Sequence, residues 1–340
     1  MKDLTAAELE NALQRNASLE PYRVQQIFRW LYKTPVRAFD RMINIPAPLR
    51  AALDAKFRVS YHEAIDTKRS LSDGTTKYLF KLEDGSAIES VFLPERERNT
   101  ICLSTQVGCK FACSFCASAA SGFTRNLSQG EIIDEVIFIK DANPAAKITN
   151  LVFMGIGEPL DNYDNIIRAI RIFNDKDAFN IGARKITIST CGVVPGIEAL
   201  AKEGLQVELS VSLHSADDEV RSRILPVNRW YGLGRLMPAC KNYIRSTGRI
   251  ITFEYVLIDG VNSSKEAAVR LVKLLRGIKC KVNVISYNRI PLKPYKEPSD
   301  GDIRIFIKTL KDGGVSAIHR KPKGEDIDAG CGQLRISRLK

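Results

Sequence analysis

Six short runs rich in β-branched residues recur after residue 100: ICLSTQV, TNLVFMG, KITIST, QVELSVSLH, IITFEYVLI and KVNVISY. The stretches between them carry helix signals. Ser128 with Glu131 predicts a capping box ahead of EIIDEVIFIK, Ser263 with Glu266 predicts another ahead of AAVRLVKLLRG, and Gly313-Gly314 closes IRIFIKTLKD. Strand and helix alternating in this way build a parallel sheet, because each crossover helix returns the chain to start the next strand in the same direction. The expected class is α/β. Six units are too few for an eightfold barrel, so the expected architecture is a partial (β/α)6 barrel, open on one side, with its chemistry at the C-terminal ends of the strands.

The first 60 residues read differently. PYRVQQIFRWLYK sets Val24, Ile27, Phe28 and Leu31 on one helical stripe, with Arg23, Arg29 and Lys33 elsewhere. In residues 61–97 the turn pairs Asp73-Gly74 and Asp84-Gly85 predict hairpins. The expected organisation is a small helical accessory domain over 1–60, a β-hairpin connecting segment over 61–97, a core over 98–325 and a C-terminal loop over 326–340. No apolar run approaches the ~18 residues of a membrane span, and the first residues lack the order of a signal peptide, so the expected location is the cytoplasm, with no membrane contact. Lysine and arginine outnumber the acids 51 to 39, a net charge of +12, which favours a polyanionic partner through phosphate contacts.

Four of the eight cysteines crowd into residues 102–116, too uneven a spread for a disulfide framework. Cys109, Cys113 and Cys116 supply three soft ligands on a loop flanked by Gly108 and Gly122. A structural zinc site would need a fourth ligand, for which Cys102 and His214 are the candidates. A cubane iron–sulfur cluster held by three thiolates keeps one iron open. The spacing resembles the signature of the radical S-adenosylmethionine (SAM) superfamily, which implies a 4Fe-4S cluster on Cys109, Cys113 and Cys116 whose free iron chelates SAM.

Other segments fit a cofactor site. Met154-Gly-Ile-Gly-Glu-Pro159 puts glycines at a strand end, where backbone approaches a ligand. It resembles the superfamily segment that receives the SAM amino group, with Gly157 and Glu158 as contacts. Ser189, Ser212, Leu213, His214 and Asn288 stand at the ends of other predicted strands and are expected around the same cofactor. In AIESVFL, Glu89 shares a face with Ala87, Val91 and Leu93, so it is either exposed at an edge or a carboxyl with raised proton affinity. Cys191, Cys240 and Cys280 are expected in the core.

Longer motifs narrow the resemblance. CLSTQVGCKFACSFCASAASGFTRNLS, FMGIGEPLDN, STCGVVPGI, SLHSADDEVRSRILPVN and GEDIDAGCGQL are similar, in this order, to the RlmN/Cfr family of RNA methyltransferases, and GEPL and FRWLY favour its RlmN branch. The resemblance implies methylation of adenine C2 in 23S rRNA and in some tRNAs, by a monomer fed electrons by a donor such as flavodoxin or ferredoxin. It implies that Cys331 takes a methyl from one SAM and that a second SAM yields a deoxyadenosyl radical which activates that methyl. Glu89 then accepts a proton, and Cys102 resolves the protein–RNA adduct by forming a disulfide with Cys331. Cys331 lies between Gly330 and Gly332, and alanine in place of Gly330, frequent in the family, is expected to alter only loop mobility. Residues 319–324, HisArgLysProLysGly, are expected to hold phosphates. The alternatives are a Cfr-type enzyme acting at C8, a radical SAM enzyme with a non-RNA substrate, and a silent RNA-binding protein with a zinc knuckle.

Overall fold

The computed structural model describes residues 1–17, 19–291 and 293–334. The helical module comprises α1 (Ala6–Ala17), α2 (Pro21–Tyr32) and α3 (Ala47–Asp54), and α2 buries the predicted stripe of Val24, Ile27, Phe28 and Leu31. It is fastened to the rest of the chain at its start. Lys2 Nζ meets Asp134 Oδ1 at 2.5 Å, both side chains fully buried, and the Gly130 N–H donates to Asp3 Oδ1 at 2.9 Å.

Three strands follow, β1 (Glu63–Arg69), β2 (Thr76–Lys81) and β3 (Ala87–Leu93), turning at Gly74 and Gly85, whose φ values of +73° and +83° suit glycine. They are antiparallel members of the main sheet. Next come β4 (Asn99–Cys102), β5 (Gln106–Gly108), β6 (Phe123–Asn126), α4 (Gln129–Ala142), β7 (Ile148–Phe153), α5 (Tyr163–Asn174), β8 (Ile186–Thr190), α6 (Val194–Leu200), β9 (Glu208–Ser212), α7 (Asp218–Ile224), α8 (Leu233–Thr247), β10 (Ile251–Leu257), α9 (Lys265–Leu275), β11 (Cys280–Ser286), α10 (Asp300–Asp312) and β12 (Ala317–Arg320). The sheet order is β1-β2-β3-β4-β7-β8-β9-β10-β11-β12, with every pairing from β4 onward parallel.

The six expected strands are all present, and β12 adds a seventh parallel strand. AIHR is only four residues long and two are exposed, so no periodic pattern announced it. ICLSTQV breaks after β4, and its second half pairs with β6 in a separate ribbon. The capping box at Ser128 and Glu131 is present. At α9 the cap is Ser264, accepting from the Ala267 N–H, and not Ser263, which lies one residue earlier. Residues from β3, β4, β7, β11 and β12 line a single cavity, so a sheet with two free edges curls into a partial barrel around it. Among the described residues no helix is long and apolar enough to cross a membrane. Residues 335–340 of the expected C-terminal loop lie outside the described residues.

Candidate active site

The cysteine loop is pinned at its base by the ribbon of β5 and β6, where the Cys109 N–H donates to the Gly122 carbonyl at 2.7 Å. Cys109, Cys113 and Cys116 are unpaired thiols that line one cleft of about 150 Å³. Burial pushes the Cys109 thiol up to about 12 and also raises that of Cys113 well above its ordinary value, each helped by the neighbouring thiols. Thiolates so placed need a cationic centre, which a cluster supplies.

Neither proposed zinc ligand joins these three. Cys102 packs with Val91, Val152, Ile156, Ala329 and Leu334 in a different cavity. His214 lies in the cysteine cleft, but its Nδ1 accepts from the Val256 N–H at 3.0 Å, so the ring proton sits on Nε2. Burial, then Arg221, lowers its pKa to about 3, which keeps the ring neutral. With Cys102 and His214 both set aside as the fourth ligand, the three thiols Cys109, Cys113 and Cys116 match the donor set of an open cubane.

The glycine strand end is sterically enforced. A Cβ on Gly157, at φ +106°, would stand 2.6 Å from Gln106 Cβ and Thr105 Oγ1, and one on Gly155 would stand 2.6 Å from the Leu103 carbonyl oxygen. The Glu158 carboxylate is buried and braced: Oε1 accepts from the Leu160 N–H at 3.0 Å and Oε2 from the Cys191 N–H at 2.8 Å. Burial raises its proton affinity. Gly157, Glu158, Ser189, Ser212 and His214 all line the cleft with the cluster cysteines, as expected.

Two expected cofactor residues stand elsewhere. Leu213 is fully buried and absent from the cleft lining; its N–H donates to Glu254 and its carbonyl accepts from Arg221 Nε and the Ser215 N–H. Asn288 lines the neighbouring cavity and donates from Nδ2 to the Cys331 carbonyl at 3.0 Å. Two other readings also change, and one alternative falls away. Cys191 is not simply core, since it lines the cofactor cleft. A Cβ on Gly330 would come within 2.7 Å of Asn288 Nδ2 and Gln333 Oε1, so alanine there displaces neighbours as well as altering mobility. Glu89 is not exposed at an edge: it is 4% exposed and its Oε1 lies 3.5 Å from Lys77 Nζ.

Cys331 is exposed and belongs to both cavities. On one side is the cleft of Cys109, Cys113 and Cys116; on the other are Cys102 and the basic turn Arg320, Lys321 and Lys323. Burial, with Cys331 nearby, pushes the Cys102 thiol up to about 12. Arg320, Met154 and Ile285 also border both cavities, and the Arg320 guanidinium reaches Met154 Sδ at 3.9 Å. Glu254 was overlooked in sequence, although an acid inside the apolar run IITFEYVLI was a usable signal. It lines the cleft, and its Oε1 accepts from Asn283 Nδ2 at 3.0 Å.

Comparison with known proteins agrees with this arrangement. Residues 103–272 match the profile of the radical SAM superfamily, and residues 1–59 match that of the ribosomal RNA large subunit methyltransferase N-terminal domain. A probable dual-specificity RNA methyltransferase RlmN of a Thermoanaerobacter species is 45% identical over 340 residues, all of this chain and 98% of that protein. The protein of the same description from Clostridium perfringens is 45% identical over 338 residues, 99% and 97% of the two chains. The crystal structure of a radical SAM methyltransferase from Sphaerobacter thermophilus superposes with a TM-score of 0.94 at 43% identity, covering 98% of each chain. With the three-thiol cleft for a 4Fe-4S cluster and SAM, and with matches running the length of the sequence, the chain belongs to the RlmN family of radical SAM methyltransferases.

Proposed function

We propose that the protein methylates C2 of an adenine in 23S rRNA, and C2 of adenine in some tRNAs, using Cys331 as a methyl carrier. One observation carries this reading: Cys331 borders the cleft of Cys109, Cys113 and Cys116 and also the cavity of Cys102. A single exposed thiol on a glycine-flanked loop therefore serves a methyl donor on one side and a resolving thiol on the other.

Cys109, Cys113 and Cys116 hold the cluster, while Gly157, Glu158, Ser189, Ser212 and His214 surround SAM. Cys331 gives up its proton, and its sulfur bonds to the donor methyl as the carbon–sulfonium bond breaks, the electron pair staying on the departing sulfur. When bound, the cluster supplies the electron for reductive cleavage of SAM, the chemistry required because adenine C2, between two ring nitrogens, is not a nucleophile. The deoxyadenosyl fragment of that SAM would take one hydrogen atom from the methyl on Cys331, the remaining carbon would bond to C2, the adduct would pass one electron back to the oxidised cluster, and Glu89 would take the proton lost from C2. Cys102 attacks the Cys331 sulfur, the sulfur–carbon bond breaks toward carbon, which takes up a proton, and a disulfide remains. Lys321 and Lys323, at the rim of the second cavity, suit the phosphates beside the target base.

Residues 1–60 act as an RNA-binding accessory module, in keeping with the net charge of +12. The protein works as a cytoplasmic monomer and takes electrons from a small low-potential carrier of the flavodoxin or ferredoxin kind. The test is mass spectrometry of nucleosides from 23S rRNA and tRNA after reaction with reconstituted protein, SAM and a reductant, beside Cys331→Ala. 2-Methyladenosine made only by the wild type is expected. 8-Methyladenosine would assign the Cfr-type reaction instead, and deoxyadenosine without methylated RNA would overturn the substrate.

A further inference from the structure

The turn between β1 and β2 grips the loop that carries Cys331 at two points and β2 itself at a third, across about 250 residues of sequence. The Leu71 N–H donates to Asp326 Oδ2 at 3.2 Å, the Gly324 N–H donates to Asp73 Oδ2 at 3.0 Å, and Lys77 Nζ donates to the Asp328 carbonyl at 2.9 Å. The surfaces also touch, since a Cβ on Gly324 would come within 2.8 Å of Thr75 Cγ2. Asp328, three residues before Cys331, holds a left-handed φ of +52°, a conformation that an aspartate tolerates best when its backbone is tied.

Lys77 has a second partner. Its ammonium lies 3.5 Å from Glu89 Oε1, and the two side chains are 9% and 5% exposed. In the sheet register Lys77 stands opposite Val91, two residues from Glu89 on the same face of β3, and Val91 lines the cavity of Cys102 and Cys331. A lysine is seldom buried to this degree unless its charge and donors are satisfied. Here they are met by a carboxylate on β3 and by the backbone of the loop that carries Cys331.

We propose that Lys77 is a positioning residue for the methyl-transfer site. Its ammonium sets the Cys331 loop at a fixed distance from Glu89, and the turn at Asp73 carries the rest of the grip. This rests on the reading of Cys331 as methyl carrier and Glu89 as proton acceptor. An ammonium on a sheet strand is a stiffer anchor than a loop-to-loop contact, because β2 is paired on both sides. The loop must be held while the adduct forms and released for Cys102 to reach the sulfur, and hydrogen bonds, the ammonium's bond to the Asp328 carbonyl among them, suit that better than an apolar contact.

The test is hydrogen–deuterium exchange over residues 324–334 in the cluster-loaded enzyme, alongside the mass of Cys331 and the yield of methylated RNA. In Lys77→Met, the Ile327 and Ala329 amides, which donate to the Gly324 carbonyl at 3.2 and 2.9 Å, are expected to exchange about tenfold faster. RNA product per methylated Cys331 falls, and Lys77→Arg restores most of both. Should Lys77→Met fail to fold because a buried ammonium is removed beside Glu89, Asp73→Ala leaves the Lys77–Glu89 pair intact and is expected to speed exchange in the same segment several-fold. Unchanged exchange in every variant that folds overturns the proposal. Faster exchange with no loss of product overturns the positioning role. A wild type that methylates no RNA counts against the proposed function alone, because the exchange measurement reads the grip independently.

Discussion

Asn288 Nδ2 donates to the Cys331 carbonyl at 3.0 Å, and this bond holds the thiol's loop from the side of β11, opposite the grip of β2. Gln333 reinforces it, accepting from the Gly330 N–H at 2.9 Å and donating to the Arg289 carbonyl at 3.1 Å. Since Asn288 lines the Cys102 cavity and not the cysteine cleft, its loss should spare cofactor affinity. Asn288→Ala is expected to lower methylation of Cys331 about tenfold, the scale of one lost hydrogen bond at a site that tolerates little misplacement, with SAM binding unchanged. Calorimetric titration of the cluster-loaded variant with SAM, beside intact mass analysis of Cys331, checks it. A large fall in SAM affinity would return Asn288 to the cofactor.

Gly157→Ala tests the strand end itself. The added methyl would press against Gln106 and Thr105 at 2.6 Å, and φ of +106° disfavours any residue with a Cβ. Overpacking together with a disfavoured backbone costs about 2–4 kcal/mol. Thermal unfolding should shift down by several degrees and iron content per chain should drop, because Gln106 also accepts from the Glu158 N–H at 2.9 Å. An unchanged melting temperature would show that the strand end accommodates the methyl.

His214 gives the fold a dependence on acid. Its pKa in the folded chain is about 3, below the ordinary 6.5, because burial and Arg221 oppose the charged ring. Between those two values the unfolded chain binds the extra proton, so stability rises with pH through this window and is lost as pH falls through it. His62 is shifted down by burial as well and adds the same sign. Each contributes at most about 1.4 kcal/mol per pH unit. Denaturant unfolding of the wild type from pH 7 to pH 4 should show falling stability, and His214→Gln should flatten part of that slope. An equally steep slope in the variant would move the effect to other groups.

What the sequence made legible depended on whether the cause was local. Cys109, Cys113 and Cys116 were readable because a three-then-two spacing places three thiols on one short loop whatever surrounds it. The stripe of α2 and the box at Ser128 were readable for the same reason. Ser263 was chosen because Glu266 stands three residues after it and completes the capping-box pattern, whereas Ser264, with Ala267 at that spacing, caps the helix through its hydroxyl alone. The pairing of Lys77 with Asp328, the place of Asn288 beside Cys331 and the turn of Cys191 toward the cleft all depend on contacts between distant segments. Periodicity carries no information about those.

Cys102 is the residue whose removal should divide the reaction in two. Its thiol is pushed up to about 12 by burial and by the nearby Cys331, so it rests protonated beside the thiol it is to attack. It packs among Val91, Val152 and Ile156, and exchanging its sulfur for hydrogen leaves a small apolar space that costs about 1 kcal/mol. Cys102→Ala should therefore fold, load its cluster and methylate Cys331, and then stop with protein and RNA joined through the Cys331 sulfur. A slow band on a denaturing gel that collapses on ribonuclease treatment, and that the Cys331→Ala variant never forms, is the expected result. Since a neutral thiol must ionise before it attacks, release of product by the wild type should quicken from pH 7 to pH 9. Free methylated RNA from Cys102→Ala at the wild-type rate would assign the resolving step to another group.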